Sequence, residues 1–247
     1  MPYEQSERPK DIFTALRNLS RPQYDQLTTW NLIPLGHEIR SATNLISHGH
    51  SLLTTPLKHE NYVDVVLNVL SVGVEHLLKL SLGFKHLERQ EGWPSYLVKH
   101  GHKVVDLNRR LFKVIDRDRG APEQLLTLAN EVRRDEILEA MLGTFEHYAI
   151  RGRYFYLDEL ANGTPPSPGD GPLGSWITLL LLVQDRHPEI DDEELHAHHL
   201  VIAQSLESWL RLISAMAQEG LLGRRAIEFG KAIDPLILFD ATQPENG

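Results

Sequence analysis

Apolar residues recur along this chain at every third or fourth position, and they almost never alternate with polar ones. Three-and-four spacing gathers side chains on one face of a helix, whereas alternation marks a strand. From Thr29 to Leu53 the apolar face is Leu32, Leu35, Ile39, Ala42, Leu45, Ile46 and Leu53, and Pro56 stops the helix. The spacing predicts a second long helix over residues 59–91, apolar nearly all round through Val63, Val66, Leu67, Leu70, Val74, Leu77 and Leu78. Such a helix belongs at the centre of a bundle. Gly92-Trp93-Pro94-Ser95 ends it. A third helix over 102–117 buries Val104, Leu107, Leu111 and Val114. Gly120-Ala121-Pro122 precedes a fourth over 122–150, with a kink expected near Arg133.

The later part is punctuated by a Pro/Gly-rich loop over 162–175, expected to be exposed and mobile. Three further helices follow over 175–185, 191–219 and 221–233. In the middle one, Leu195, His199, Ile202, Leu206, Trp209, Ile213 and Met216 keep a strict 4-3 repeat. That stripe must meet either the first bundle or a second copy of the chain, and a homodimer is expected. Before residue 29, Asp11 to Leu19 reads as a short capped helix. Leu236 to Phe239 is the single short strand candidate. The reading is therefore all-α: a helical bundle with long central helices, extended by a C-terminal helical segment. Its divisions are an N-terminal segment 1–28, a bundle 29–160, a loop 161–175 and C-terminal helices 176–239 that pack on the bundle or on a partner subunit.

Composition narrows the chemistry. With 247 residues, 41% hydrophobic and 24% charged, the chain is ordinary globular material. It has no cysteine, which removes disulfides, thiolate nucleophiles and cysteine-based metal sites. The polar start resembles no signal peptide, and the longest apolar run, Trp176 to Val183, is short for a membrane span. A cytoplasmic protein without a membrane partner is expected. A formal net charge of −9 lends no support to binding by bulk phosphate attraction.

Candidate chemistry lies on polar lines within the greasy helices. Asp64, Asn68, Ser71, Glu75 and Lys79 draw one line along the second helix. They form either a seam inside the bundle or the helix's solvent side, and a buried Glu75 would need a partner. On the third helix Lys103, Asp106, Arg110, Lys113 and Arg117 share a face. Residues 99–119 hold seven Lys/Arg against three Asp, so this stretch either meets phosphates or keeps a surface wet. The helix start from Asp191 to His199 is dense in ligand-type groups, with Glu193–His196 and Glu194–His198 at helical spacing, but no second Glu-x-x-His completes a di-metal set. No metal and no cofactor is expected: nucleophile-elbow, phosphate-loop and dinucleotide fingerprints are all missing.

One arrangement is similar to a known family. Val74-Glu75-His76-Leu77-Leu78-Lys79-Leu80 lies on the second helix, and Gly101-His102-Lys103-Val104-Val105-Asp106-Leu107 opens the third. This resembles the HEPN superfamily of helical bundles, whose members often carry Glu-x-x-x-Lys and then a Gly-His-like start. The likeness runs from about Thr29 to Tyr156, where Tyr148-Ala149 and Arg151 to Tyr154 resemble late elements of some members. It implies RNase, nucleotide-binding or nucleotidyltransferase-partner roles, often in defence or toxin–antitoxin systems, and frequent homodimers. The RNase members' Arg, four to six residues, then His does not occur; Arg40 and His48 have seven residues between them. The resemblance thus implies a non-catalytic or degenerate member that binds a nucleotide, RNA or a protein partner. Glu75, Lys79, His102 and Arg110 would line its seam. Arg151 and Arg153 would add forks for phosphate, and Tyr154 a ring on which a base stacks. Two alternatives are a divergent metal-independent RNase using His100 or His102, or a metal-dependent hydrolase using the Glu193–His199 cluster. A third is a structural dimerisation protein.

Overall fold

The computed structural model describes residues 29–56, 62–89, 92–163, 171–191 and 194–239. The expected helix over Asp11–Leu19 lies outside them. Among the described residues there is no strand. Eleven α-helices follow in order: α1 Thr29–Thr54, α2 Val63–Arg89, α3 Tyr96–Lys99, α4 Val104–Asp116, α5 Glu123–Arg134, α6 Glu136–His147, α7 Phe155–Asn162, α8 Pro172–Arg186, α9 Leu195–Gln218, α10 Ile227–Ala232 and α11 Pro235–Leu238. A π-helical turn, Tyr148–Gly152, follows α6, and a 3-10 turn, Arg224–Ala226, precedes α10.

α2 is the axis of the molecule. Val66, Leu67, Leu70, Val74, Leu77 and Leu78 are all fully buried, and α1, α4, α6, α8 and the π-helical turn pack around it. α1 lies close along α2 because Gly49 faces Leu70: a Cβ at Gly49 would fall 2.3 Å from the Leu70 side chain. The glycine between His48 and His50 therefore serves helix packing. His50 is buried, meets Glu207 Oε1 through Nε2 at 2.7 Å and stacks on Phe239 at 3.6 Å. α2 is long and apolar enough to cross a membrane by composition (mean hydropathy 1.5), a property that the run-length reading missed because Glu75 and Lys79 interrupt it. Two-thirds of that stretch, 67%, is buried inside the bundle.

The heptad helix α9 is the roof over the bundle. Ile202, Leu206, Trp209, Ile213 and Met216 are all fully buried within one chain, against α1, α5, α6 and α8. Trp209 Nε1 donates to Asn108 Oδ1 of α4 at 2.9 Å. The stripe is thus satisfied intramolecularly and presents no dimer seam, apart from the half-exposed Leu195 at its start.

Three boundaries differ from the sequence reading. The fourth helix is two helices, because Asp135 leaves the helical conformation (φ −74°, ψ 99°) and caps α6 by accepting from the Leu138 N–H. Short side-chain caps of this kind win over continuous periodicity. Leu236–Phe239 is helical, not a strand: Asp234 accepts from the Leu236 N–H and Pro235 supplies a helix-ready φ at the first position. The expected loop over 162–175 yields to α8 from Pro172, by the same N-terminal proline effect; residues 164–170 lie outside the described set.

Candidate functional site

The polar line of α2 divides along its length. Asp64 and Asn68 face solvent, while Ser71 and Glu75 are buried. Ser71 is satisfied by the Asn68 carbonyl. Glu75 is only 6% exposed, and both carboxylate oxygens are taken. Lys79 Nζ donates to Oε1 at 2.6 Å, one helical turn along α2. His102 Nδ1 lies 2.7 Å from Oε2, reaching across from the start of α4. Burial pushes the Glu75 carboxyl up, but the hydrogen bonds and charges of Lys79 and His102 outweigh it and hold it below its ordinary value. Glu75 is therefore an ionised anchor that ties the Lys79 ammonium and the His102 ring to one spot.

His102 reaches this anchor because Gly101 turns the chain. Gly101 has φ +54°, a left-handed conformation that side chains with a Cβ adopt reluctantly. With Nδ1 engaged by Glu75, the ring keeps Nε2 for a further partner, and the side chain is 43% exposed. Lys79 is 23% exposed and has two further N–H donors.

A cavity of about 370 Å³ opens on the other side of Lys79, between α1 and α2. Lys79, Leu80, Leu35, Pro34 and Trp93 form its walls, with Glu38 and His76 at 3.1 Å from each other. The two are close, but His76 Nδ1 makes no hydrogen bond to Glu38. The Trp93 indole is seated over Gly83, where a Cβ would fall 2.1 Å from its ring, and it meets Phe84 edge-on at 6.5 Å. Trp93 was missed by sequence reasoning, which treated its segment as a helix stop.

Next to His102, Asp106 binds Arg110 Nε at 2.8 Å and lies 3.5 Å from His100 Nδ1. The Arg110 hydrogen bond holds the Asp106 carboxyl below its ordinary value. Tyr96 sits between His86 and His100, at ring distances of 6.0 and 5.8 Å. Arg110 is thus paired within its own helix, and Lys103, Lys113 and Arg117 face solvent as a wetted helix face.

The start of α4 is not an open anion site: Glu146 of α6 already accepts from the Val105 N–H at 2.9 Å. A carboxylate of the chain itself meets the positive end of the helix. Glu146 lies 41 residues from Val105, so no local pattern announces it. Arg153 pairs with neither Glu75, whose two oxygens meet Lys79 and His102, nor Asp106, which meets Arg110 and His100 through Oδ2. Arg151, Arg153 and Tyr154 are exposed around the π-helical turn. That turn packs near the start of α2, where Tyr148 OH donates to the Asp64 carbonyl at 3.3 Å, about two to three helical turns from Glu75. Among the described residues no hydrogen bond or ion pair joins them to the Glu75 cluster.

The histidine-rich start of α9 is drawn into the core. His199 is buried, 2.7 Å from Tyr62 OH through Nδ1 and 5.6 Å from the Trp176 ring. Burial, then the neighbouring His196 and His198, lower its pKa to about 4. His198 Nδ1 turns back to the Glu194 carbonyl at 3.1 Å. Among the described residues no three His, Asp or Glu side chains gather as metal ligands; Glu193 lies outside them.

Compared with protein-family models, curated proteins and solved structures, the chain matches none. The fold and the site together define an all-α bundle with a carboxylate-anchored Lys–His pair beside an aromatic-walled cavity.

Proposed function

We propose that this protein is a HEPN-like, non-catalytic binding module that takes a nucleotide, free or within single-stranded RNA, at the Lys79–His102 seam and the adjoining cavity. The observation that carries the reading is the double engagement of buried Glu75. Its carboxylate orients Lys79 and His102 while leaving each with unspent hydrogen-bonding capacity at the surface. Preoriented donors lose less entropy on binding an anion than free ones do. A phosphate oxygen is a natural second partner for the Lys79 ammonium. The cavity of about 370 Å³ lies in the size range of small-ligand sites, and Trp93 offers a ring against which a base stacks. The residues of the resemblance, Glu75, Lys79 and His102, are the same ones that meet here. Glu75 acts as a positioning residue, Arg110 borders the seam, and Arg151, Arg153 and Tyr154 stand apart from it. A cytoplasmic location accompanies this reading.

The hydrogen bond from His102 Nδ1 to Glu75 also orients a general base, which keeps metal-independent RNA cleavage as the second reading. Calorimetric titration with AMP, GMP, UMP and a short single-stranded RNA separates the two. Binding is expected in at least one arm, weakened tenfold or more by Lys79→Met and by His102→Ala, and unchanged by Arg153→Ala. Full retention of the RNA during titration is expected; cleavage that disappears in His102→Ala replaces binding by catalysis. No heat with any probe overturns the proposal.

A further inference from the structure

The carboxylate that lines the cavity between α1 and α2 is Glu38. Its side chain is 56% exposed, and among the described residues it makes no hydrogen bond. Oε2 lies 3.1 Å from His76 Nδ1, an atom that is itself buried and without a hydrogen-bond partner. Glu75, the carboxylate on the far side of Lys79, is the opposite case, with both oxygens engaged. Glu38 therefore brings two unspent acceptors to a wall that is otherwise apolar through Pro34, Leu35 and Leu80. Trp93 adds a flat ring to the same cavity. A planar heterocycle stacked on that ring is covered on its face and reads the cavity through its edge.

We propose that Glu38 makes this cavity selective for an unpaired guanine, an inference that rests on the nucleotide-binding reading above. Guanine carries two adjacent donors, N1–H and the 2-amino group, which match the two oxygens of one carboxylate. Adenine sets the acceptor N1 beside its 6-amino donor, and cytosine sets the acceptor N3 beside its 4-amino donor. Uracil has a single N3–H between two carbonyl acceptors. Each of these three turns a lone pair toward a carboxylate oxygen and is repelled by it. A site built to receive hydrogen bonds rejects a ligand that lacks the matching groups more strongly than an apolar pocket rejects a missing methylene.

Both guanine donors belong to the edge that pairs with cytosine in a duplex. The contact with Glu38 thus takes a free guanine nucleotide or a guanine in a single strand, and a base-paired guanine is shut out. A carboxylate beside an aromatic ring also suits a guanidinium, as in an arginine-bearing peptide. Lys79 decides between the two, since its ammonium lines the same cavity and repels a cation while attracting a phosphate. His76 stands one helical turn before Lys79 on α2 and against Glu38 of α1, so the charged groups of the cavity are neighbours across two helices.

Calorimetric titration of the full chain with GMP, IMP, AMP and UMP tests this. GMP is expected to bind at least tenfold more tightly than AMP or UMP, on the scale of a charge-assisted contact in a half-open site. IMP, which keeps N1–H and lacks the 2-amino group, is expected to fall between them. Glu38→Gln replaces one acceptor oxygen by a donor and is expected to bring the GMP-to-AMP ratio to within about threefold of one. A circular-dichroism melt of the variant checks that it folds, and the ratios of the parent protein stand without it. A single-stranded RNA with one guanine is expected to bind at least tenfold more tightly than the same RNA without it, a difference that hybridisation to the complement removes. Equal affinity for GMP and AMP overturns the guanine assignment and leaves the nucleotide reading standing, as does a preference that survives Glu38→Gln. IMP binding as tightly as GMP overturns the pairing with two oxygens. Binding of none of the four nucleotides overturns both readings, and binding of arginine amide in their place assigns the cavity to a guanidinium.

Discussion

At the scale of single residues, burial decides what a titratable group can do. His199 sits on an apolar stripe and keeps a neutral ring because the core penalises its charged form, which lowers its pKa to about 4. The unfolded chain takes up a proton near the ordinary histidine value of ~6.5. Stability from this residue is therefore complete above that value and is lost as pH falls from ~6.5 through about 4. With partial burial discounting the full shift, the loss is on the order of 2–3 kcal/mol. His199→Asn is expected to flatten the melting-temperature profile between pH 4 and 6.5, and proton NMR on the parent protein should place this titration well below those of the exposed histidines. Glu75 shows the opposite balance. It is as buried as His199 but charged, because Lys79 and His102 meet its two oxygens. Its contribution is present above the ordinary carboxylate value and fades as pH falls through its depressed one.

At the scale of elements, caps and close approaches set what periodicity leaves open. The apolar stripes of α1, α2 and α9 were readable because each runs for many turns. The break at Asp135 was legible only as a kink near Arg133, and the cap by Glu146 was not legible, since a single side chain decides each. Glu146→Ala is expected to remove the acceptor at the start of α4 and cost about 1 kcal/mol. The same change should loosen His102, which precedes that start by two residues, so hydrogen exchange at Val105 and weakened nucleotide binding check it together. α2 carries the larger energies. Leu77→Ala opens a hole at the axis of the bundle, and urea denaturation should show a loss of about 2–5 kcal/mol.

At the scale of the whole molecule, α9 joins the C-terminal half to the first bundle as one core. Leu206 and Ile213 belong to that core. Leu206→Ala is expected to destabilise the chain by about 2–5 kcal/mol. It should leave the mass measured by light scattering unchanged, because the stripe faces inward. A change of oligomeric state without a change of melting temperature would contradict that assignment. The division at residues 161–175 is accordingly a connection within a continuous core, since α8 packs on α2, α6 and α9.

The sequence alone determined the helical class, the two long axial helices and the residues of the polar seam. Repeating three-and-four spacing and the cost of burying an unpaired carboxylate are properties of the chain itself. Glu75 and Lys79 could be named as candidates for that reason, and His102 only through the family resemblance. Only the tertiary structure decided that His102 meets Glu75 across two helices, that Glu146 closes the start of α4, that Trp93 walls the cavity and that the α9 stripe faces inward. Each of these joins residues from separate elements, and the energy of such a contact depends on packing geometry that neither periodicity nor composition encodes.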